Sequence, residues 1–386
     1  MKKILALLFL FNLYISAFAQ TDTCHVRISL LTCGSGEYLY SIWGHTGIRV
    51  IDSSNQTDVV FNYGTFDDSD PLFYIKFTRG IMMYSVTPFS FTDFMEEYRY
   101  YKRSVTEQVL DLSCTDKNKL VAALWKNAAP ENRLYPYHFY ADNCTTRARD
   151  MLINHFSGDL QFKDIRPVPG KSTYRQLIHS YMNSNSQSWN KLAIDVLLGN
   201  HLDEVMNNTQ SMFLPDYLMK AFDSASLQQQ KLVSQTNVLL KDEQQPEKTF
   251  FTPALAFSIL FVLMILLAVL KNKTATKLLF VLESVFFLLL GLLGILFVIL
   301  WLARVDNVCR NNFNLLWAIP THVIIAFVIN KQKNWIKYYW LATAAISFLS
   351  LVLWKWLPQE MNNSLLLVVG IILFRSIAHY LKIKKP

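Results

Sequence analysis

From Pro253 onward the sequence falls into long apolar runs separated by short charged loops. A helix needs about 20 mostly apolar residues to cross the hydrocarbon core of a bilayer. Five segments reach or approach that length: Pro253–Leu270, Leu278–Ala303, Phe313–Asn330, Tyr338–Trp354 and Ser364–Leu381. They predict an α-helical membrane bundle of five spans within a domain covering 247–386. The lipid bilayer is therefore the first partner implied, and the 52% hydrophobic content of the chain is concentrated there.

Charge follows the same division. Residues 251–386 carry 13 Lys and Arg against 3 Asp and Glu, a net of +10; the whole chain is +8, so residues 1–250 sum to −2. The basic character belongs to the membrane part, and no nucleic-acid partner is expected, because that would require a basic face on the soluble part. At the N-terminus, Lys2 and Lys3 precede an apolar stretch from Ile4 to Phe18, and Ala17-Phe18-Ala19 is a small-x-small cleavage signature. This reads as a signal peptide over 1–19, with an uncleaved anchor as the alternative. In either case the residues that follow are exported, and the first span must run from outside to inside. The loops 271–277 and 331–337 then lie inside with three Lys each, as does the tail with Lys382, Lys384 and Lys385. The loops 304–312 and 355–363 lie outside with two Arg and one Lys. That bias agrees with the positive-inside rule. Within the spans, Glu283 and Arg375 are expected to pair, and His322 is expected to serve helix packing.

The exported part, 20–246, reads as an α+β domain: an antiparallel sheet plus helices over about 25–156 and a helical extension over about 157–241. Thr46–Ile51 and Val59–Tyr63 are β-branched or aromatic runs around the polar turn Asp52-Ser-Ser-Asn-Gln-Thr-Asp58, which predicts a hairpin with His45 at the foot of its first strand. Phe73–Tyr84 reads as a further strand broken at Gly80, and Thr92–Tyr100 and Lys117–Asn127 as helices. Asn143–Phe156 has helical periodicity with Asp142 as the expected N-cap. Residues 172–241 read as mostly helical, and 240–248 as the linker into the membrane. Export permits disulfides; among the five cysteines, Cys24 with Cys114 is the first choice of pair, though spacing alone does not fix connectivity.

Two residues stand out for chemistry. Cys144 falls in the first turn of a helix, where free N–H groups and the positive end of the dipole favour thiolate. His45 sits between small neighbours on a strand, and a polar residue on the next strand would orient it: Asn62 by preference, with Tyr63, Asp52 or Asp67 if the register shifts. A buried inert cysteine and a structural histidine are the alternatives for each residue alone. In order, a strand histidine, a polar residue on the next strand and a cysteine opening a helix are the papain-like elements permuted. Asn143-Cys144-Thr145-Thr146 resembles the Asn-Cys helix start of the lecithin:retinol acyltransferase and permuted NlpC-like groups.

A more extensive resemblance runs over nearly the whole mature chain. Leu31-Thr-Cys-Gly-Ser-Gly-Glu-Tyr-Leu-Tyr, Trp43-Gly-His-Thr-Gly-Ile-Arg-Val, Phe61-Asn-Tyr-Gly-Thr-Phe-Asp, Asp142-Asn-Cys-Thr-Thr-Arg, Phe213-Leu-Pro-Asp-Tyr-Leu and Asn311-Asn-Phe-Asn-Leu-Leu-Trp-Ala-Ile-Pro-Thr all resemble the Lnb family, the lipoprotein N-acyltransferases of Bacteroidetes-type bacteria. The resemblance implies an inner-membrane enzyme that moves a fatty acyl chain from a membrane phospholipid, through a Cys144 thioester, to the α-amine of a diacylated lipoprotein. His45 would be the base and Asn62 its orienter, with Asn143, Tyr63, Thr145, Asn312 and Asn314 as oxyanion or substrate contacts. No cofactor and no metal are expected. A Cys–His cell-wall or peptide hydrolase is the competing enzyme class, and a non-catalytic membrane scaffold is the competing non-enzyme.

Overall fold

The computed structural model describes residues 24–383 except 39–40, 67–68, 185, 245–249 and 271. The leader expected at 1–19, Asp67 and part of the expected linker lie outside the described residues.

Alternating strand faces and capped helices build the N-terminal domain. Its strands are β1 Val26–Cys33, β2 His45–Asp52, β3 Thr57–Thr65, β4 Met83–Ser90, β5 Val105–Leu110, β6 Leu134–Pro136, β7 Leu160–Gln161, β8 Ser226–Leu227, β9 Gln230–Lys231 and β10 Val233–Leu240. Seven of them form one antiparallel sheet in the order β10-β5-β1-β2-β3-β4-β6. The helices of this domain are α1 Phe73–Arg79, α2 Phe91–Tyr100, α3 Cys114–Ala128, α4 Cys144–Ile153, α5 Tyr174–Ser184, α6 Ser188–Leu197, α7 Asn208–Ser211 and α8 Pro215–Asp223. Successive side chains on a strand point to opposite faces, and both faces are covered. Ile28, Leu30, Phe61 and Tyr63 pack with Leu120 of α3, Ala148 of α4 and Phe222 of α8. Their neighbours Leu31, Cys33 and Val60 pack with Phe94 and Tyr98 of α2. Cys24 and Cys114 form a disulfide that ties the start of the sheet to α3.

Three local expectations are corrected. Phe73–Arg79 is helical rather than extended; its apolar residues 73, 75 and 77 mimic a strand pattern, but Phe73 and Phe77 stack four residues apart, and Gly80 closes the helix at φ 66°. The segment 172–241 is not helical to its end, because β10 pairs with β5 and completes the sheet. The cap of α4 is Asn143, whose side chain accepts from the N–H groups of Thr145 and Thr146, whereas Asp142 pairs with Arg147.

The C-terminal region is helical: α9 Pro253–Val269, α10 Lys273–Ala303, α11 His322–Val328, α12 Asn334–Val352 and α13 Leu365–Lys382. Among the described residues, α10, α12 and α13 are long and apolar enough to cross a membrane, and α9 is a shorter apolar helix. Glu283 of α10 is buried and paired with Arg375 of α13, and His379 lies 3.1 Å from its other oxygen. The run 313–330 is not one helix. It forms a 3-10 turn at Phe313–Leu316 and then the seven residues of α11. Pro320 has no N–H and disfavours helical backbone at Ile319, so continuous helix breaks there. His322 closes the break by hydrogen bonds to the Trp317 carbonyl (3.2 Å) and the Tyr339 hydroxyl (2.7 Å).

The two parts are docked through buried polar contacts. Asp195 of α6 accepts from Arg175 (3.1 Å), His179 (2.6 Å) and Asn362 (2.9 Å). Its backbone carbonyl accepts from Asn314 (2.8 Å) and Gln359 (3.1 Å), and Asn312 donates to the Val196 carbonyl (2.8 Å). Asn312 and Asn314, expected as substrate contacts or, equally, as capping and packing residues, are buried, and their amides donate to the backbone of α6. Losing such a donor strands buried carbonyls at a cost of about 1–3 kcal/mol. Asn314→Ala is therefore expected to lower the thermal unfolding midpoint of the detergent-solubilised protein. An unchanged midpoint would show that this amide contributes nothing to docking.

Candidate active site

The site forms at one end of the central strands. His45 is the first residue of β2 and lies opposite Cys33 of β1. On the other side β2 pairs with β3 in the register Gly47↔Asn62, which places Asn62 diagonally from His45 on the same face, within the reach of cross-strand neighbours. The amide oxygen Oδ1 of Asn62 stands 2.6 Å from Nε2 of His45. Accepting that N–H holds the proton on Nε2 and leaves Nδ1 as the ring nitrogen available to the thiol.

Cys144 is the first residue of α4. Asn143 spends its oxygen on the Thr145 and Thr146 N–H groups (2.9 Å each) and its amide nitrogen on the carbonyls of Phe139 and Phe213 (3.0 Å each). The expected role of Asn143 as an oxyanion donor is thereby corrected: its side chain is consumed in fixing the helix start. The first-turn N–H groups of a helix have no partner within it, and the cap serves those of Thr145 and Thr146, leaving the N–H of Cys144 itself as the backbone donor beside the sulfur. Thr145 touches the sulfur (Oγ1 to Sγ 3.8 Å) and bonds Thr46 across to β2 (3.0 Å). Tyr63 is corrected in the same way. It lies on the opposite face of β3, buried in the α3–α4 core, and donates to Asn127 (2.8 Å). Asp52 is bound within its own turn by Ser54 and Asn55.

Gly64 lies beside both Cys144 and His45. It follows Tyr63 at φ 97°, where the β3–β4 register slips. A Cβ placed on it would lie 3.5 Å from Cβ of Cys144 and 3.8 Å from Cε1 of His45. This residue was not singled out from sequence, although it lies inside the Phe61-Asn-Tyr-Gly-Thr-Phe-Asp motif. Tyr84 and Tyr137, stacked at 4.2 Å, also border the site and were not foreseen. Burial first, then the nearby Cys144 charge, raises the pKa of both phenols, so they stay protonated.

The electrostatics separate Cys144 from the other free thiols among the described residues. Burial pushes Cys33 up to about 12 and Cys309 up to about 11. Burial also raises Cys144, but the charge of facing His45, its hydrogen bond, the Thr145 hydroxyl and the Thr46 N–H together outweigh that and lower the thiol. Burial disfavours charge on His45 too, yet Cys144 opposite and the Asn62 hydrogen bond raise it overall. A lowered thiol beside an oriented imidazole can form thiolate, attack a carbonyl and return a proton to a leaving group.

With that geometry described, the comparisons can be stated. Residues 15–180 match the family described as the Lnb N-terminal periplasmic domain, and residues 245–386 match the Lnb transmembrane domain. The chain belongs to the Lnb family. No curated protein and no solved structure matches it. The family descriptions make the sheet domain periplasmic and the helical region that follows it transmembrane, so the Cys144–His45 pair of this family member belongs to the periplasmic side.

The sign of the thiol shift gives a test. With a small soluble alkylating reagent, the Cys144 labelling rate is expected to rise with pH about a midpoint below the ordinary thiol value. His45→Ala removes the attraction and leaves burial, so the midpoint should move upward. A midpoint that stays put in His45→Ala would remove the coupling.

Proposed function

We propose that the chain is a lipoprotein N-acyltransferase that carries its acyl group on Cys144. Family membership supports the reaction class, and the observation that carries the assignment of residues is the lowered Cys144 thiol facing an imidazole whose other nitrogen is held by Asn62. Thiolate Sγ attacks the ester carbonyl of a phospholipid. The resulting oxyanion is met by the N–H of Cys144. The C–O bond then breaks, and His45 gives its proton to the departing lysophospholipid oxygen. The acyl group remains as a thioester. The α-amine of a diacylated lipoprotein attacks that carbonyl, the C–S bond breaks, His45 takes the amine proton, and the product is an amide. Asn62 acts as a positioning residue for His45.

The order of strand histidine, strand asparagine and helix-start cysteine supports a permuted papain-like core. Five crossings of the inner membrane, with the C-terminus cytoplasmic, are supported by the loop charges and by the docking contacts. Asn312 and Asn314 before α11, and Gln359 and Asn362 after α12, all touch the periplasmic helix α6. Helix α12 rises about 28 Å over its 19 residues, so its start, near Lys331 and Lys333, lies at the opposite membrane face. The broken segment 313–330 must then cross in the other direction. Irregular backbone is tolerated at membrane depth when buried in protein, as Trp317 and Ala318 are.

Mass spectrometry of a lipoprotein N-terminal peptide, in cells that depend on this chain, tests the proposal. Wild type should give the N-acylated peptide. Cys144→Ala and His45→Ala, at unchanged protein level, should leave only the free amine. Asn62→Ala should retain part of the activity, since an orienter is less essential than the base. Full N-acylation in Cys144→Ala would refute the proposal.

A further inference from the structure

Helix α1 is joined to the end of α10 of the membrane domain. Arg304, just past the end of α10, donates to the carbonyls of Phe77 (3.0 Å) and Thr78 (3.3 Å), and the Val305 N–H donates to the Arg79 carbonyl (3.1 Å). Arg304 is itself held by Asp306 (2.9 Å). The outward side chains of α10 near this joint are apolar and exposed, Leu302 at 78%. On α1, Ile75 and Phe77 are 57% and 56% exposed, and Leu72 just before it is equally open. An apolar patch that continues the surface of a membrane helix just past its end stands where the adjacent leaflet can cover it.

From α1 a run of ring contacts leads inward. Phe77 stacks on Phe73 (6.4 Å between centroids), Phe73 lies 5.9 Å from Phe66, Phe66 lies 5.3 Å from Tyr84, and Tyr84 stacks on Tyr137 at 4.2 Å. Tyr84, Tyr137 and Cys144 all pack against the same core cluster. The rings thus form a row of contacts from the exposed surface of α1 to Tyr137, which packs against the same core cluster as Cys144. The aliphatic part of a fatty acid has no groups to hydrogen-bond, and aromatic faces and edges are what it can bury against.

We propose that α1 dips into the outer leaflet and that the Phe77–Phe73–Phe66–Tyr84–Tyr137 row is the binding track for the fatty acyl chain transferred to Cys144. The inference rests on the acyltransfer reading for the identity of the chain, but the lipid contact of α1 does not. The track makes the ester carbonyl arrive at Cys144 while the methyl end of the chain remains toward the leaflet. Binding along the chain then raises the rate in proportion to chain length, as binding energy remote from the reacting bond can.

Two measurements on the full-length protein in phosphatidylethanolamine vesicles test this. In the first, the lipid carries a photoactivatable diazirine in its acyl chain, and adducts are mapped after illumination. Adducts are expected on the peptide spanning Phe66–Tyr84 as well as on the spans; adducts confined to α9–α13 would overturn the lipid contact. In the second, the rate of acyl-Cys144 formation is compared for a palmitoyl donor and a butyryl donor. Phe66→Ala and Ile75→Glu should each cost about tenfold with palmitoyl and clearly less with butyryl. Equal losses on both donors, or none on either, would overturn the track. Failure of the wild type to form any acyl-enzyme would refute the function proposed above while leaving the cross-linking result to decide the position of α1.

Discussion

The way the two parts of the chain sit on each other depends on the buried contact between α6 and the segments 312–314 and 359–362 of the membrane domain. Asp195 is the node. Its carboxylate is met by Arg175, His179 and Asn362, and its carbonyl by Asn314 and Gln359. A buried carboxylate is costly unless it is paired and hydrogen-bonded, and here the partners come from both parts of the chain. The sheet domain is therefore seated on the membrane domain by hydrogen bonds from both parts. The Arg304 joint to α1 provides a second seat on the other side of the site.

Within the sheet domain, the reactive pair depends on local features that are individually ordinary. A cap residue starts a helix, a strand register puts an asparagine diagonally from a histidine, and a glycine at positive φ lies between helix and strand. Asn143 shows the division of labour: its oxygen caps the helix and its nitrogen bonds two loop carbonyls, which together hold Cys144 as the first helical residue. Cys33 lies across the strand from the same histidine, yet burial raises its thiol far above that of Cys144. At Cys144 the facing His45 charge and the Thr145 and Thr46 hydrogen bonds outweigh burial, whereas at Cys33 burial prevails.

Much of this arrangement could be read from sequence because it is local. The hairpin of β2 and β3, with its polar turn, put Asn62 beside His45, and periodicity placed Cys144 at a helix start. The Glu283–Arg375 pair followed from the cost of isolated charges in a membrane. What could not be read was non-local. Strand β10 joins β5 from more than a hundred residues away, and the roles of Asn312 and Asn314 depend on carbonyls of α6 that no spacing rule reveals. Tyr63 and Asn143 were assigned to the site by adjacency in sequence, but alternation turns Tyr63 to the other face and capping exhausts Asn143. The pattern at 73, 75 and 77 fits a strand and a short helix alike, and only the fixing of α1 on the membrane domain decides between them.

The central claim is that Cys144 holds a fatty acid covalently. It is tested most directly by incubating the purified protein with phospholipid alone, without lipoprotein, and measuring the mass of the peptide that contains Cys144. The account predicts a fatty acyl increment on that peptide that is released by hydroxylamine and is absent in Cys144→Ala. An unmodified Cys144 peptide from protein that still N-acylates lipoprotein would contradict it.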